Sequence, residues 1–135
     1  MPYIAITSAG QSLDQKQTNI LIAETTRLMH EVMGKRMDLT SVRIEQTPGH
    51  RWAIGGVPVG EDGPAAAHMD IKITAGTNTA EEKAAMVAAG YRLMQDVLGA
   101  IHQACYVIIH ELPADAWGFG EQTQAARAAA RGSGL

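Results

Sequence analysis

The chain has 135 residues, 46% of them hydrophobic, which is enough for one compact domain with a packed core. A formal charge of −3 and the absence of any Lys/Arg-rich run exclude the electrostatic footprint of a nucleic-acid or anionic-membrane binder. Aromatic residues make up only 4%, so the core must rest on aliphatic side chains and Met, and no ring-lined cofactor pocket is expected.

Residues 3–8 (YIAITS) are rich in β-branched types and predict an opening strand. Ser12 and Gln15 have the spacing of a capping box, in which the hydroxyl accepts from an orphan amide and the Gln side chain reaches back, so a helix is expected to start there. Ile20, Leu21, Leu28, Met29 and Val32 recur at helical spacing, and Gly34 supplies a left-handed stop. Residues 39–46 predict a second strand, followed by Pro48 and a short hairpin containing Trp52 and Gly55. Residues 58–67 (PVGEDGPAAA) have the Gly/Pro content of a linker.

From residue 68 the plan is written again. Residues 69–74 (MDIKIT) predict a strand, Thr79 with Glu82 a second capping box, Met86 to Leu98 an amphipathic helix ended by Gly99, and residues 105–111 a further strand. RLMHEVMG at 27–34 matches RLMQDVLG at 92–99, an offset of 65 residues that also relates Pro48 to Pro113, Trp52 to Trp117 and Gly55 to Gly120. An Ala/Arg-rich tail from residue 122 reads as a short helix that frays at 132–134.

A strand, a helix of about twenty residues and a strand imply a right-handed crossover between parallel strands. Two such units (1–57 and 68–121, with a linker at 58–67 and a tail at 122–135) predict an α+β fold in a single domain, with a four-stranded mixed sheet and both helices on one face. The opposite face would be bare, so self-association through it is expected. Cys105 is the lone cysteine and cannot form an internal disulfide. It reads as inert core, and with no leader or apolar span near the start the expected location is the cytoplasm. His102 and His110 lack any ligand spacing, and no metal site or cofactor is expected.

Met1-Pro2 before a strand, a QK-containing helix, LTSVR at 39–43 and WAIGG at 52–56 together resemble 4-oxalocrotonate tautomerase, and the two-unit chain resembles fused members of the tautomerase superfamily. The run AHMDIKITAGTN at 67–78 also looks like 5-carboxymethyl-2-hydroxymuconate isomerase. The resemblance implies a ferredoxin-like pair of β-α-β units, assembly as a homotrimer, and cofactor-free keto–enol chemistry on a small enol or α-keto carboxylate.

Such chemistry moves a proton between carbon and oxygen and needs a base poised near the working pH. A free α-amine titrates at about 8 in model peptides, and burial or a nearby cation lowers it further. Pro2 offers that amine on a rigid ring once Met1 is removed; with Met1 in place its nitrogen is a tertiary amide without basicity. The resemblance makes Arg43 the holder of the substrate carboxylate, a task suited to a planar guanidinium. It makes Trp52 the residue that dries the pocket, with Trp117 in the same role or completing another subunit's site. The family's second arginine, before the first helix, is replaced by Gln11 or its neighbour, with His50 and Arg51 as compensating charge. Lys35 matches a thinner resemblance to macrophage migration inhibitory factor and also reads as a helix C-terminal cation. Tyr106 and Glu111 are candidate pocket groups for water activation. The second unit has Met69 where the first has Pro2, and Ile108 where it has Arg43, so one site per chain is expected. The alternatives are a superfamily dehalogenase, hydratase or decarboxylase with a cationic proline, and a catalytically silent binding or assembly protein.

Overall fold

The computed structural model describes residues 1–60 and 62–133. In chain order the elements are β1 (Tyr3–Ala9), α1 (Gln15–Glu31), β2 (Ser41–Gln46), a hairpin of β3 (Ala53–Ile54) and β4 (Val57–Pro58), β5 (Ala66–Thr74), α2 (Ala80–Leu98), β6 (Tyr106–Leu112), a hairpin of β7 (Gly118–Phe119) and β8 (Gln122–Thr123), and α3 (Gln124–Ser133). The main sheet has the order β2-β1-β5-β6. Each crossover pairs its strands in parallel, and the central pair, β1 with β5, is antiparallel. The fold is therefore α+β with a mixed four-stranded sheet, as the repeat predicts.

Alternation along the strands makes the core. Ile4 and Ile6 of β1 and Met69, Ile71 and Ile73 of β5 point to one face and are fully or almost fully buried, against Leu21 and Met29 of α1 and Met86 and Met94 of α2. Both helices thus cover the same face. Each of these side chains contributes roughly 1.5–3 kcal/mol by leaving water. Gly90 lets α2 approach the sheet: a Cβ there would stand 3.0 Å from the Met69 sulfur and 3.3 Å from Val107.

One cap differs from expectation. The helix α1 is capped by Asp14, whose carboxylate accepts from the Gln17 amide at 2.7 Å while the Gln17 side chain accepts from the Asp14 amide at 3.0 Å. Ser12 and Gln15 do not form the box; Gln15 donates instead to Asn19 at 2.8 Å. The same spacing recurs two residues on, and a carboxylate accepts more strongly than a hydroxyl. The second box, Thr79 with Glu82, forms as expected. Gly34, with φ +69°, closes α1, its amide reaching the His30 carbonyl at 3.0 Å. The strand expected from residue 39 begins at Ser41, because Met37–Leu39 wind into a 3₁₀ turn. The tail forms α3, started by Thr123 Oγ1 accepting from the Ala126 amide at 3.0 Å. Of the expected frayed end, Gly134 lies outside the described residues.

The open sheet face is more polar than a bare apolar surface. Arg43 pairs with Glu45 at 3.2 Å, His68 and His110 hold the two oxygens of Asp70 at 2.9 and 2.7 Å, and Lys72 lies 5.5 Å from the centre of the Tyr3 ring. These charges already have partners within the chain, so the face can be covered without leaving a naked ion.

Among the described residues, the buried side-chain atoms without a hydrogen-bond partner are Ser8 Oγ, Thr25 Oγ1, Asn78 Oδ1 and Arg127 Nε. Thr25 of α1 is fully buried and its hydroxyl makes no hydrogen bond. Thr25→Val keeps the shape and removes the desolvated oxygen, so the urea midpoint should rise by the equivalent of about 1 kcal/mol at unchanged m.

Candidate active site

The antiparallel pairing of β1 with β5 decides what meets the amino terminus. Tyr3 is level with Lys72 and Ala9 with Ala66, so the start of β1 lies beside the end of β5 and, through Thr74 level with Leu112, the end of β6. A cleft of about 300 Å³ opens there, lined by Met1, Lys35 and Arg36 after α1, Thr74 at the end of β5 and Thr77 after it, Ala114 after β6, and Gln124, Ala128 and Arg131 of α3. Pro2, next in the chain to Met1, is buried, with its carbonyl accepting from the Ser41 amide at 3.2 Å.

The cleft is cationic. Lys35 is half-buried and donates from Nζ to Thr77 Oγ1 at 2.9 Å, and that hydroxyl donates to the Thr74 carbonyl at 2.7 Å. Burial pulls the Lys35 ammonium below its usual range, against the opposing pull of Glu82. Arg36 is occupied by a two-pronged pair with Asp38, at 3.1 and 2.7 Å. The α-amine on Met1 is held below its ordinary value, first by burial and then by repulsion from Lys35 and Arg131.

The other expected site residues divide between the two ends of the sheet. Trp117 lies at the Pro2 end, half-buried, with Nε1 donating to Thr74 Oγ1 at 3.1 Å. Trp52 lies at the opposite end, packed on Ala9, Val59 and Ala66, with His50 and Arg51 beside it. Gln11 is also there, its carbonyl accepting from the Gln46 side chain at 3.3 Å. Tyr106, 62% exposed, starts β6 level with His68 at that same end. Arg43 lies on the open face of the edge strand β2, level with Ala5 and paired with Glu45. Within one chain, then, Pro2, Lys35 and Trp117 share an end, while Arg43, Trp52, Gln11 and Tyr106 do not join them. Glu111 is paired with Lys83 at 3.1 Å.

Thr77 and Arg131 of the cleft were not singled out by the sequence. The spacing of Gln124, Ala128 and Arg131 on one helical face was the available signal. Cys105 is buried, one residue before β6, and burial pushes its thiol up. Among the described residues no cluster of His, Cys, Asp or Glu is arranged to hold a metal ion, and no helix is long and apolar enough to cross a membrane.

The second unit presents a different start. Met69 stands in the middle of β5 and is fully buried, with the strand beginning three residues earlier at Ala66. Its nitrogen is an ordinary peptide amide.

Comparison with known proteins matches this architecture. Among solved structures, a native fused 4-OT is 25% identical, with 93% of this chain and 98% of that chain covered and a TM-score of 0.82. A fused 4-OT described as a symmetric trimer is 17% identical over 93% and 98%, with a TM-score of 0.80. The protein Pt0534, inactivated by 2-oxo-3-pentynoate, is 16% identical over 93% and 98%, with a TM-score of 0.81; these last two likenesses speak to fold alone. No curated protein matches the chain. The model of the tautomerase enzyme family matches residues 2–62 and again 68–127, and the chain therefore belongs to the tautomerase family as a fused, two-unit member.

Proposed function

We propose that the chain is a cofactor-free keto–enol tautomerase acting on a small enol or α-keto carboxylate, with the amine of Pro2 as general base after removal of Met1. The observation that carries this reading is the position of the amino terminus, in a cationic cleft that lowers the proton affinity of an amine. Pro2 takes the enol proton, the O–H pair closes the carbonyl, and the carbon–carbon π pair accepts the proton back at the neighbouring carbon. Lys35 and the cleft's other cations stabilise the charge that gathers on the enolate oxygen, and Trp117 helps to exclude water.

Arg43 enters this scheme only across a subunit boundary. It stands on the open face of an edge strand, so we assign it to a neighbouring chain's site in a homotrimer, together with Trp52, Gln11 and Tyr106. The likeness to a fused 4-OT that is a symmetric trimer supports that assembly. The lowered proton affinity of the Met1 amine in this cleft supports base chemistry at Pro2 over a dehalogenase, hydratase or decarboxylase with a cationic proline.

Ketonisation of phenylenolpyruvate by Met1-free protein, verified by intact mass, is the direct test; no turnover above the uncatalysed rate would leave a binding or assembly role. Lys35→Gln should also move the acid limb of the kcat/KM profile to higher pH. The sign follows from electrostatics: removing a positive neighbour makes the amine easier to protonate, so the free base appears only at higher pH. A limb that stays in place or moves to lower pH would remove Lys35 from the site.

A further inference from the structure

Two other arginines near this end of the molecule have protein partners. Arg36 holds Asp38, and Arg127 donates to the Phe119 carbonyl at 2.8 Å while stacking 3.8 Å over the Phe119 ring. Arg131 makes no ion pair among the described residues, yet it lines the cleft on the same helical face as Gln124 and Ala128. An unpaired guanidinium in a cleft that holds another cation and no carboxylate is complementary to an anion.

The helix that carries Arg131 is set firmly. The Gln124 amide donates to the Trp117 carbonyl at 2.9 Å, the Ala125 amide to the Ala114 carbonyl at 2.8 Å, and Gln124 is only 6% exposed. Arg127 clamps the second turn onto Phe119. Arg131 is thereby aimed at the cleft by a docked helix, whereas Gln11, where the family resemblance leads one to look for a second arginine, lies at the opposite end of the sheet.

We infer that Arg131, on the last turn of α3, anchors the carboxylate of the α-keto or enol acid in the Pro2 cleft. The inference rests on the cleft being the tautomerase site. Lys35, held by Thr77, faces the keto or enol oxygen, and the guanidinium fork takes the carboxylate at the other end of the same small molecule. Substrates without a carboxylate lose this anchor, so the site selects 2-oxo acids over simple ketones or esters.

The test is calorimetric titration of the Met1-free chain with phenylpyruvate and with its methyl ester, for wild type, Arg131→Gln and Arg131→Lys. Arg131→Gln should weaken phenylpyruvate binding roughly 10- to 100-fold, as expected for loss of a charge-assisted bond, while changing ester binding less than about twofold. Arg131→Lys should recover part of the loss, since it restores the charge without the fork. Equal phenylpyruvate affinity in wild type and Arg131→Gln would overturn the inference, as would equal losses for acid and ester, or a wild type that does not prefer the acid. Binding is read apart from turnover: Arg131-dependent binding without ketonisation sinks the proposed function and leaves the anchor standing, and ketonisation that ignores Arg131 does the reverse.

Discussion

Pro2→Ala in the Met1-free chain is expected to lower kcat/KM for phenylenolpyruvate by about 10²- to 10⁴-fold, the range typical of a positioned proton-transfer group. Alanine keeps an α-amine at the same place in the chain, so the loss measures what the ring supplies. The pyrrolidine ring closes the nitrogen onto the side chain and so restricts rotation about the N–Cα bond and the direction of the nitrogen lone pair, while a primary amine turns freely about its bond to Cα. The primary amine can also condense with a 2-oxo acid to an imine, which borohydride reduces to a product that intact mass detects. Protein that keeps Met1 should lose activity as well, because the Pro2 nitrogen is then an amide without basicity and the amine in the cleft is the freely turning primary amine of Met1. Undiminished activity in Pro2→Ala, or full activity in protein shown to retain Met1, would remove Pro2 from the mechanism.

Gly118→Ala should produce the second large effect, and it acts through packing. A Cβ at Gly118 would fall onto the Gln122 carbonyl and within 2.7 Å of the Thr123 Cα, both backbone groups of the facing strand. No side-chain rotation relieves such a clash, so the β7–β8 hairpin has to open. Forced overpacking of this kind costs about 1–3 kcal/mol, and here the damage has a defined address: Trp117 immediately precedes the hairpin and α3 follows it without a break. We expect α3 amides to lose hydrogen-exchange protection and kcat/KM to fall about tenfold or more, with the core helices α1 and α2 unaffected. Wild-type protection of α3 in this variant would show that the hairpin does not hold the helix.

Much of the fold can be read from the repeat. Matched segments 65 residues apart give two crossovers, and each crossover sets parallel pairing and helix placement, which is why the order of strands and the shared helical face follow. The Asp14 cap escaped notice because two overlapping windows satisfy the same spacing, and only the partners of Ser12 and Gln15 decide between them. The site was less legible for a topological reason. A sequence repeat places Trp52 and Trp117 at equivalent points of their units, but the antiparallel join of β1 to β5 sends those points to opposite ends of the sheet. Proximity to Pro2 therefore belongs to the second unit's Trp, and nothing local to either Trp indicates this. Arg131 lay in an Ala/Arg tail whose composition suggests a solvated helix, and its significance appears only when Gln124 is seen buried against the hairpin.

The buried, mid-strand position of Met69 has a practical consequence. Because the second unit's equivalent of the chain start is an interior peptide bond, no single substitution can give it a chain-terminal α-amine. Under the proposed mechanism, a conjugated alkynyl ketone that alkylates amines becomes a counting reagent for this protein. Complete inactivation should coincide with one adduct per 14.4 kDa chain, and the mass of the labelled chain tells whether the adduct sits on processed protein or on protein that still carries its initiator methionine.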